Sequence, residues 1–169
     1  MGVRGCKAWA GPGWMSVRAD VETFRSIPIF SECDSVHLQL LAFSAVRQSF
    51  AAGETLMRQN EGGAAAFMIL TGEVRLSSAE AGPIGIAGPG ALLGEVSMIG
   101  DRPYAITATA AEPVTAARID RDLFMRVARE FPEFGTAVFG VLAKRLESGM
   151  SELEATRSAF ETARSFKAL

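Results

Sequence analysis

The apolar positions near the start of the chain follow a helical period. Between Val21 and Ile27 the apolar residues fall three apart, which is the spacing of one helical face, and a proline then ends the predicted helix. A second helix is predicted to run through Phe43, with Ser31 or Asp34 as its N-cap, because either side chain accepts hydrogen bonds from first-turn amides. The apolar residues expected on its buried face are Leu38, Leu40, Leu41 and Phe43.

From Ala45 the helical period gives way to short apolar runs that are separated by glycine-containing turns. The runs recur about every ten residues, a pattern typical of an all-β sandwich, barrel or jelly roll. The first predicted strands have the sequences VRQSF, TLMRQ, AAAFMIL and VRLS, and two more follow near Tyr104–Ala110 and Val114–Ile119. The intervening stretch Gly82–Gly90 is predicted as loop and short strand.

The β region ends at Asp120, which is a suitable N-cap for an amphipathic helix that stops before Pro132. Beyond it, one position of a heptad repeat is apolar throughout and is occupied by Phe139, Leu146, Leu153 and Phe160. The alternate seam positions after Leu142 are small or polar, namely Gly149, Thr156 and Ala163. The pattern favours a long C-terminal helix that forms a homodimer, and packing of its first turns on the β region is the open alternative.

Size and charge restrict the function classes. The 169 residues, 49% of them hydrophobic, suffice for one packed domain. A formal net charge of −2 indicates no basic surface, so direct DNA binding is not expected. The longest apolar stretch, residues 134–143, is about half the length of a membrane-spanning helix. Residues 1–20 lack the apolar run of a secretory signal. We therefore expect a cytoplasmic protein that binds no membrane.

Metal-binding and catalytic residue patterns are absent from the sequence. Cys6 and Cys33 are too few for a disulfide framework, a zinc ribbon or an iron–sulfur cluster. His37 is the single histidine, and no cluster of metal ligands or nucleophile with a neighbouring base surrounds it. We expect a structural histidine on the surface or half-buried, no metal site and no enzymatic activity.

An ordered series of short motifs carries a family resemblance. The motifs are IPIF at 27–30, FAAGETL at 50–56, FMILTGEV at 67–74, GALLGEVSMI at 90–99, RPYA at 102–105, and the stretch from DRDLF to AKRL at 120–146. In this order they resemble the cyclic-nucleotide-binding domain of catabolite activators, protein kinase regulatory subunits and nucleotide-gated channels. The resemblance implies a mainly β fold, an eight-stranded jelly roll flanked by N-terminal helices and a long C-terminal helix.

The resemblance also divides the chain into three parts. Residues 1–20 are expected to form a flexible tail, and residues 21–146 the cyclic-nucleotide-binding-like domain with its flanking helices. Residues 147–169 are expected to extend the C-terminal helix, with possible dimerisation.

The resemblance implies a ligand pocket at a short helix inserted between two strands, here formed by Gly94, Glu95, Val96 and Ser97 and the residues after them. Glycine lets backbone approach closely, and amides at a helix start attract phosphate. The resemblance assigns Glu95 to the ribose 2′-hydroxyl, a role suited to a carboxylate because it only accepts hydrogen bonds. The implied ligand is cAMP or another cyclic nucleotide.

The sequence departs from the family at the phosphate-binding step, where Pro103-Tyr104-Ala105 stands in place of Pro-Arg-Ala. Losing a charge-assisted hydrogen bond of about 1.5–3 kcal/mol weakens binding about ten- to a hundredfold. Arg102 would point the same way as Tyr104 in extended chain and can substitute, as can the Tyr104 hydroxyl. The alternative is that Tyr104 fills the anion site. Ala105 stands where a hydroxyl residue accompanies guanine selectivity in the family, which favours adenine.

Two functions therefore stay open. The first is a stand-alone cyclic-nucleotide sensor, of cAMP type, that signals to an unknown effector protein through its C-terminal helix. The second is a degenerate β-roll that binds no nucleotide and serves as an interaction or scaffold module. Transcription factors of the family carry a helix-turn-helix domain after the long helix, and since the sequence ends at Leu169 we expect none. DNA binding through assembly with a partner is a third possibility.

Overall fold

The computed structural model describes residues 17–144 and residue 147, with side chains from residue 21 onward. Its helices are α1 (Val17–Ser26), α2 (Ser35–Ser44), α3 (Glu95–Gly100), α4 (Arg121–Glu130) and α5 over residues 132–144, with a 3₁₀ turn at Pro28–Phe30. Its strands are β1 (Val46–Phe50), β2 (Thr55–Met57), β3 (Ala65–Thr71), β4 (Val74–Ser78), β5 (Gly82–Ala87), β6 (Leu92–Leu93), β7 (Thr107–Ala110) and β8 (Val114–Asp120).

The strands form two four-stranded antiparallel sheets. The first has the order β1-β8-β3-β6 and the second the order β2-β7-β4-β5. Helices precede and follow the strands, and α3 is inserted between β6 and β7. The prediction of a mainly β, eight-stranded jelly roll with flanking helices is confirmed.

Strand β3 lies between two apolar cores. Ala65, Phe67 and Ile69 face the other sheet and belong to the core that we call the roll interior. Ala66 and Met68 face the opposite way and pack in a second core, which we call the helix core. Both faces of the strand are buried, which is why its sequence is a continuous apolar run instead of an alternating one.

The helix core joins the N-terminal helices to α4 and α5. Phe134 of α5 is almost fully buried, with its ring centroid 5.6 Å from that of Phe124 and 6.2 Å from that of Phe30. His37 of α2 lies 4.5 Å from the ring of Phe131, and its Nε2 is 3.3 Å from the Glu133 carboxylate. His37 is thus buried, not on the surface or half-buried, because α5 packs over it.

The helix boundaries agree with expectation in some places and differ in others. Helix α1 begins at Val17, so it includes residues 17–20 of the expected tail. Asp34 caps α2 by accepting a 2.9 Å hydrogen bond from the Val36 amide. Asp120 stands at the N-cap of α4 without a capping hydrogen bond, because its carboxylate pairs with Arg118 at 2.6 Å. Residues 1–16 and the heptad positions from Leu146 onward lie outside the described part.

The buried face of α2 was predicted wrongly in two of its four residues. Leu38 and Leu41 are fully buried, whereas Leu40 and Phe43 are exposed. Helix α2 has more apolar residues than the helix core can bury. Its sequence therefore predicted a helix but not which of its faces is buried.

Phe134→Ala is expected to lower the free energy of unfolding by about 3–5 kcal/mol, because the lost ring leaves a cavity in the helix core. Ile86→Ala on β5 is the matched control, since that side chain is 64% exposed, and it is expected to cost less than about 1 kcal/mol. Urea unfolding monitored by far-UV circular dichroism measures both. Equal losses for the two variants would contradict the packing of α5 on this core.

Candidate functional site

The start of α3 is shaped by Gly94. This residue has φ 83° and ψ 7°, in the left-handed region where a side chain is disfavoured. A Cβ atom there would lie 2.8 Å from a ring carbon of Tyr104 and 3.2 Å from the Ala65 carbonyl oxygen. Gly94 is therefore required both for the turn into α3 and for the close approach of Tyr104.

The first turn of α3 presents three of the expected site residues in different environments. Glu95 is half-buried, and Val96 is exposed. Ser97 is buried, and its hydroxyl donates to the Pro103 carbonyl oxygen at 3.1 Å. Ser97 thus fixes α3 to the segment that carries Tyr104.

That segment also pairs with the loop before β3. The Tyr104 amide donates to the Glu61 carbonyl at 2.9 Å, and the Gly63 amide donates to the Arg102 carbonyl at 3.1 Å. A Cβ atom on Gly63 would lie 2.2 Å from the Arg102 carbonyl oxygen and 2.5 Å from the Ser97 Cβ. Gly63 is therefore needed for close packing of two backbones, a role that its turn-like sequence context did not indicate.

Tyr104 lies inside the roll. Its side chain is only 7% exposed and belongs to the apolar cluster of the roll interior. The hydroxyl donates to the Ala65 carbonyl oxygen at 2.7 Å and accepts from the Ala65 amide at 3.3 Å. Burial raises the pKa of the phenol, so it stays a neutral donor. Both hydrogen-bonding functions of the hydroxyl are thus directed at one residue of β3.

Arg102 and Ala105 are exposed, whereas the ring of Tyr104 is buried. The two side chains thus lie in different environments, and the expectation that Arg102 reaches a bound phosphate stays a prediction. It assumed extended chain, but β7 begins only at Thr107, and Asp101 just before has a left-handed φ of 53°. The alternation of side chains in a strand does not apply to such an irregular segment.

A different arginine lies near Tyr104. Arg118 of β8 pairs with Phe67 of β3, and Asp120 pairs with Ala65, so the two charged residues share the inner face of the sheet. Among the smaller influences on the pKa of Tyr104, Arg118 lowers it and Asp120 raises it. This pair was not among the predicted site residues. Arg118 and Asp120 follow Ala116 at intervals of two along β8, and residues two apart in a strand lie on the same face.

Arg121 was also missed, and it connects α3 to α4. Its guanidinium donates to the carbonyl oxygens of Met98 and of Ile99, the latter at 2.8 Å. These carbonyls belong to the last turn of α3, where a cation is favoured by the helix dipole. The helix that carries the candidate site is thus held from the first residue of α4.

The described residues offer little for other chemistry. In residues 17–144 and 147, no group of three or more His, Cys, Asp or Glu side chains is placed to hold a metal ion. Burial raises the pKa of the Cys33 thiol to about 11, which keeps it protonated. Within the same part of the chain, every helix is too short or too polar to cross a bilayer.

Two curated relatives cover most of the described chain. The cyclic AMP receptor protein of Thermus thermophilus is 27% identical over 135 residues, which are 78% of this chain and 61% of that protein. The cAMP-dependent protein kinase regulatory subunit of Yarrowia lipolytica is 27% identical over 104 residues, or 61% of this chain and 28% of that protein. The chain thus spans less than two thirds of the length of either relative.

Solved structures share the fold. The N-terminal domain of a transcriptional regulator from Streptomyces coelicolor aligns with a TM-score of 0.69 and 25% identity, covering 75% of this chain and 94% of that one. A cyclic nucleotide-binding-like protein from Brucella abortus aligns with a TM-score of 0.59 and 31% identity, covering 65% of this chain and 97% of that one.

The family match spans both sheets and the candidate site. Residues 47–131, from β1 to the end of α4, match the cyclic nucleotide-binding domain. This stretch contains α3, Tyr104 and Arg121, and the family consists of regulatory domains, not catalytic ones. The chain belongs to the cyclic nucleotide-binding domain family.

Proposed function

We propose that this chain is a regulatory domain in which Tyr104 occupies the place of a bound ligand's phosphate. It acts on a partner protein through α5 and does not require a cyclic nucleotide to do so. The observation that carries the proposal is the pair of hydrogen bonds between the Tyr104 hydroxyl and the backbone of Ala65.

The residues present fit a cyclic phosphate poorly while Tyr104 is in this position. The ring stands against Gly94 at the start of α3, where the resemblance implies the phosphate. A ligand would have to break the bonds to Ala65, about 1 kcal/mol each, and expose an aromatic ring whose burial is worth about 1.5–3 kcal/mol. The ligand phosphate would find no arginine at position 104 to donate a hydrogen bond to it.

A contact path leads from this site to α5. Arg121 joins the end of α3 to the start of α4, and Phe124 of α4 packs on Phe134 of α5. A partner that recognises one position of α5 would therefore also favour one arrangement of α3 and Tyr104. Regulation of this kind needs two arrangements whose populations the partner shifts.

A cAMP sensor is the second candidate. It is supported by Glu95 in the first turn of α3 and by Arg118 beside Tyr104, which would supply a cation if the ring moved out. The names of the relatives above include cAMP. The two candidates differ in whether cAMP binds the wild-type chain at micromolar concentration.

We also propose that the protein acts in the cytoplasm as a dimer formed by its C-terminal helix. Phe139 supports the dimer, because it is the first residue of the apolar heptad position and its ring is 47% exposed. We expect Phe139→Lys to convert the dimer to a monomer in multi-angle light scattering. A dimer that persists in this variant would contradict the role of the heptad seam.

Tyr104→Phe is expected to lower the free energy of unfolding by about 0.5–1.5 kcal/mol, since the variant keeps the ring and loses the two bonds to Ala65. Urea unfolding of the full chain measures the loss. An unchanged midpoint would mean that the hydroxyl does not hold Tyr104 against β3.

Tyr104→Arg is expected to raise the affinity for cAMP about ten- to a hundredfold, because it restores a charge-assisted hydrogen bond to phosphate. Isothermal titration calorimetry with cAMP and cGMP measures the affinity, and Tyr104→Phe is the control because it adds no positive charge. For the wild type we expect no saturation below about 1 mM.

Two outcomes of this titration bear on the proposal in different ways, and only the first contradicts it. Micromolar cAMP binding by the wild type would establish the sensor instead, and its loss in Arg118→Met would identify the cation. No gain for Tyr104→Arg would show that the site has lost more than its arginine, which leaves a ligand-free interaction module.

A further inference from the structure

The side chain of Gln59 is hydrogen-bonded through both groups of its amide to residues 79–81, which we call the β4–β5 turn. Its Oε1 accepts from the Ala79 amide at 2.7 Å, and its Nε2 donates to the Glu80 carboxylate at 2.8 Å. Gln59 follows β2, and β7 lies between β2 and β4 in the sheet. The Gln59 side chain therefore crosses the start of β7 to reach the turn.

Hydrogen bonds hold the β4–β5 turn, because its residues Ala79, Glu80 and Ala81 are all exposed. The Ser78 hydroxyl accepts from the Ala81 amide at 2.9 Å, which is a bond within the hairpin itself. The two bonds to Gln59 instead join the turn to a part of the chain about twenty residues away. Gln59 thus ties the position of the turn to the end of β2.

The residues that follow Gln59 are bonded to Tyr104. The Asn60 amide donates to the Tyr104 carbonyl oxygen at 2.9 Å, and the Tyr104 amide donates to the Glu61 carbonyl oxygen at 2.9 Å. The backbone amide of Gln59 donates to the Thr107 hydroxyl at 3.0 Å. Residues 59–61 therefore contact the β4–β5 turn through one side chain and the segment around Tyr104 through their backbone.

We propose that Gln59 is a positioning residue that couples the β4–β5 turn to Tyr104. The proposal rests on the proposed function, in which Tyr104 has two arrangements. When the Tyr104 ring leaves Ala65, its backbone shifts against residues 59–61. The two bonds from Gln59 to the turn then lose their alignment, and hydrogen bonds weaken steeply with angle. A change at the site thus reaches the β4–β5 hairpin as well as α5, by a route that does not include Arg121.

NMR of the full-length chain labelled with [ζ-13C]tyrosine tests the proposal, because Tyr104 is the single tyrosine and gives one resonance. Gln59→Leu removes both side-chain bonds to the turn. We expect it to speed the amide hydrogen exchange of Ala79 about three- to tenfold, and to move the tyrosine resonance towards that of N-acetyltyrosinamide. Tyr104→Phe changes the other end of the link, and we expect it to speed the exchange of Ala79 as well.

Glu54→Ala is the matched control, because it also removes a side-chain bond to backbone, 2.7 Å from the Ala51 amide, in a turn of the same roll. It is expected to change neither the tyrosine resonance nor the exchange of Ala79. Combining Gln59→Glu with Glu80→Gln exchanges donor and acceptor in the same contact, and it keeps an acceptor for the Ala79 amide. We expect this double variant to restore the wild-type values of both quantities.

Each of the other outcomes overturns the proposal. Faster exchange at Ala79 in Gln59→Leu with an unmoved tyrosine resonance means that Gln59 orders only the turn. Unchanged exchange at Ala79 in Tyr104→Phe means that the site does not reach the turn.

Two further results overturn it through the control and the double variant. Equal effects of Gln59→Leu and Glu54→Ala mean that the roll loosens as a whole, and a double variant that behaves like Gln59→Leu means that this contact does not position Tyr104. Far-UV circular dichroism confirms that each variant is folded. All of these measurements are made without nucleotide, so their failure is distinct from failure of the proposed function, which the cAMP titration tests.

Discussion

Strand β3 is the element on which both cores depend, because each of its faces is buried in a different one. Its inner face meets Tyr104 through the backbone of Ala65, and its outer face packs Ala66 and Met68 against the helices. A strand buried on both sides has no free face to absorb a change. A rearrangement of Tyr104 would break its hydrogen bonds to Ala65, which lies on the same strand that packs against the helices.

A side chain that fills a binding site differs from a ligand in one physical respect: its presence does not depend on concentration. In the proposed function, Tyr104 is always available to Ala65, so the arrangement of α3 is set by the chain itself and by the partner that binds α5. A ligand can shift such an equilibrium only by the difference in its affinity for the two arrangements. In the proposed function, a cyclic nucleotide binds the two arrangements with little difference in affinity, because position 104 has no arginine.

Periodicity and turn residues predicted most of the strand and helix positions, because these depend on neighbours in sequence, whereas the eight-stranded jelly roll was implied by the family resemblance. The replacement of the family arginine by Tyr104 was also visible in sequence. The orientation of Arg102 was not, since it depends on the left-handed backbone at Asp101. Arg118 and Arg121 were missed because the residues they contact lie far away in sequence. The buried face of α2 was only half predicted, because apolar residues lie on both of its faces.

Helix α2 contacts the start of α5 through its inner face and leaves apolar side chains exposed on its outer face. On the inner face, His37 contacts Phe131 and Glu133 at the start of α5, while the outer face presents Phe43. Helix α2 therefore forms one wall of the place where α5 packs, and α4 forms another through Phe124. The position of α5 thus depends on one helix that precedes the strands in sequence and on one that follows them.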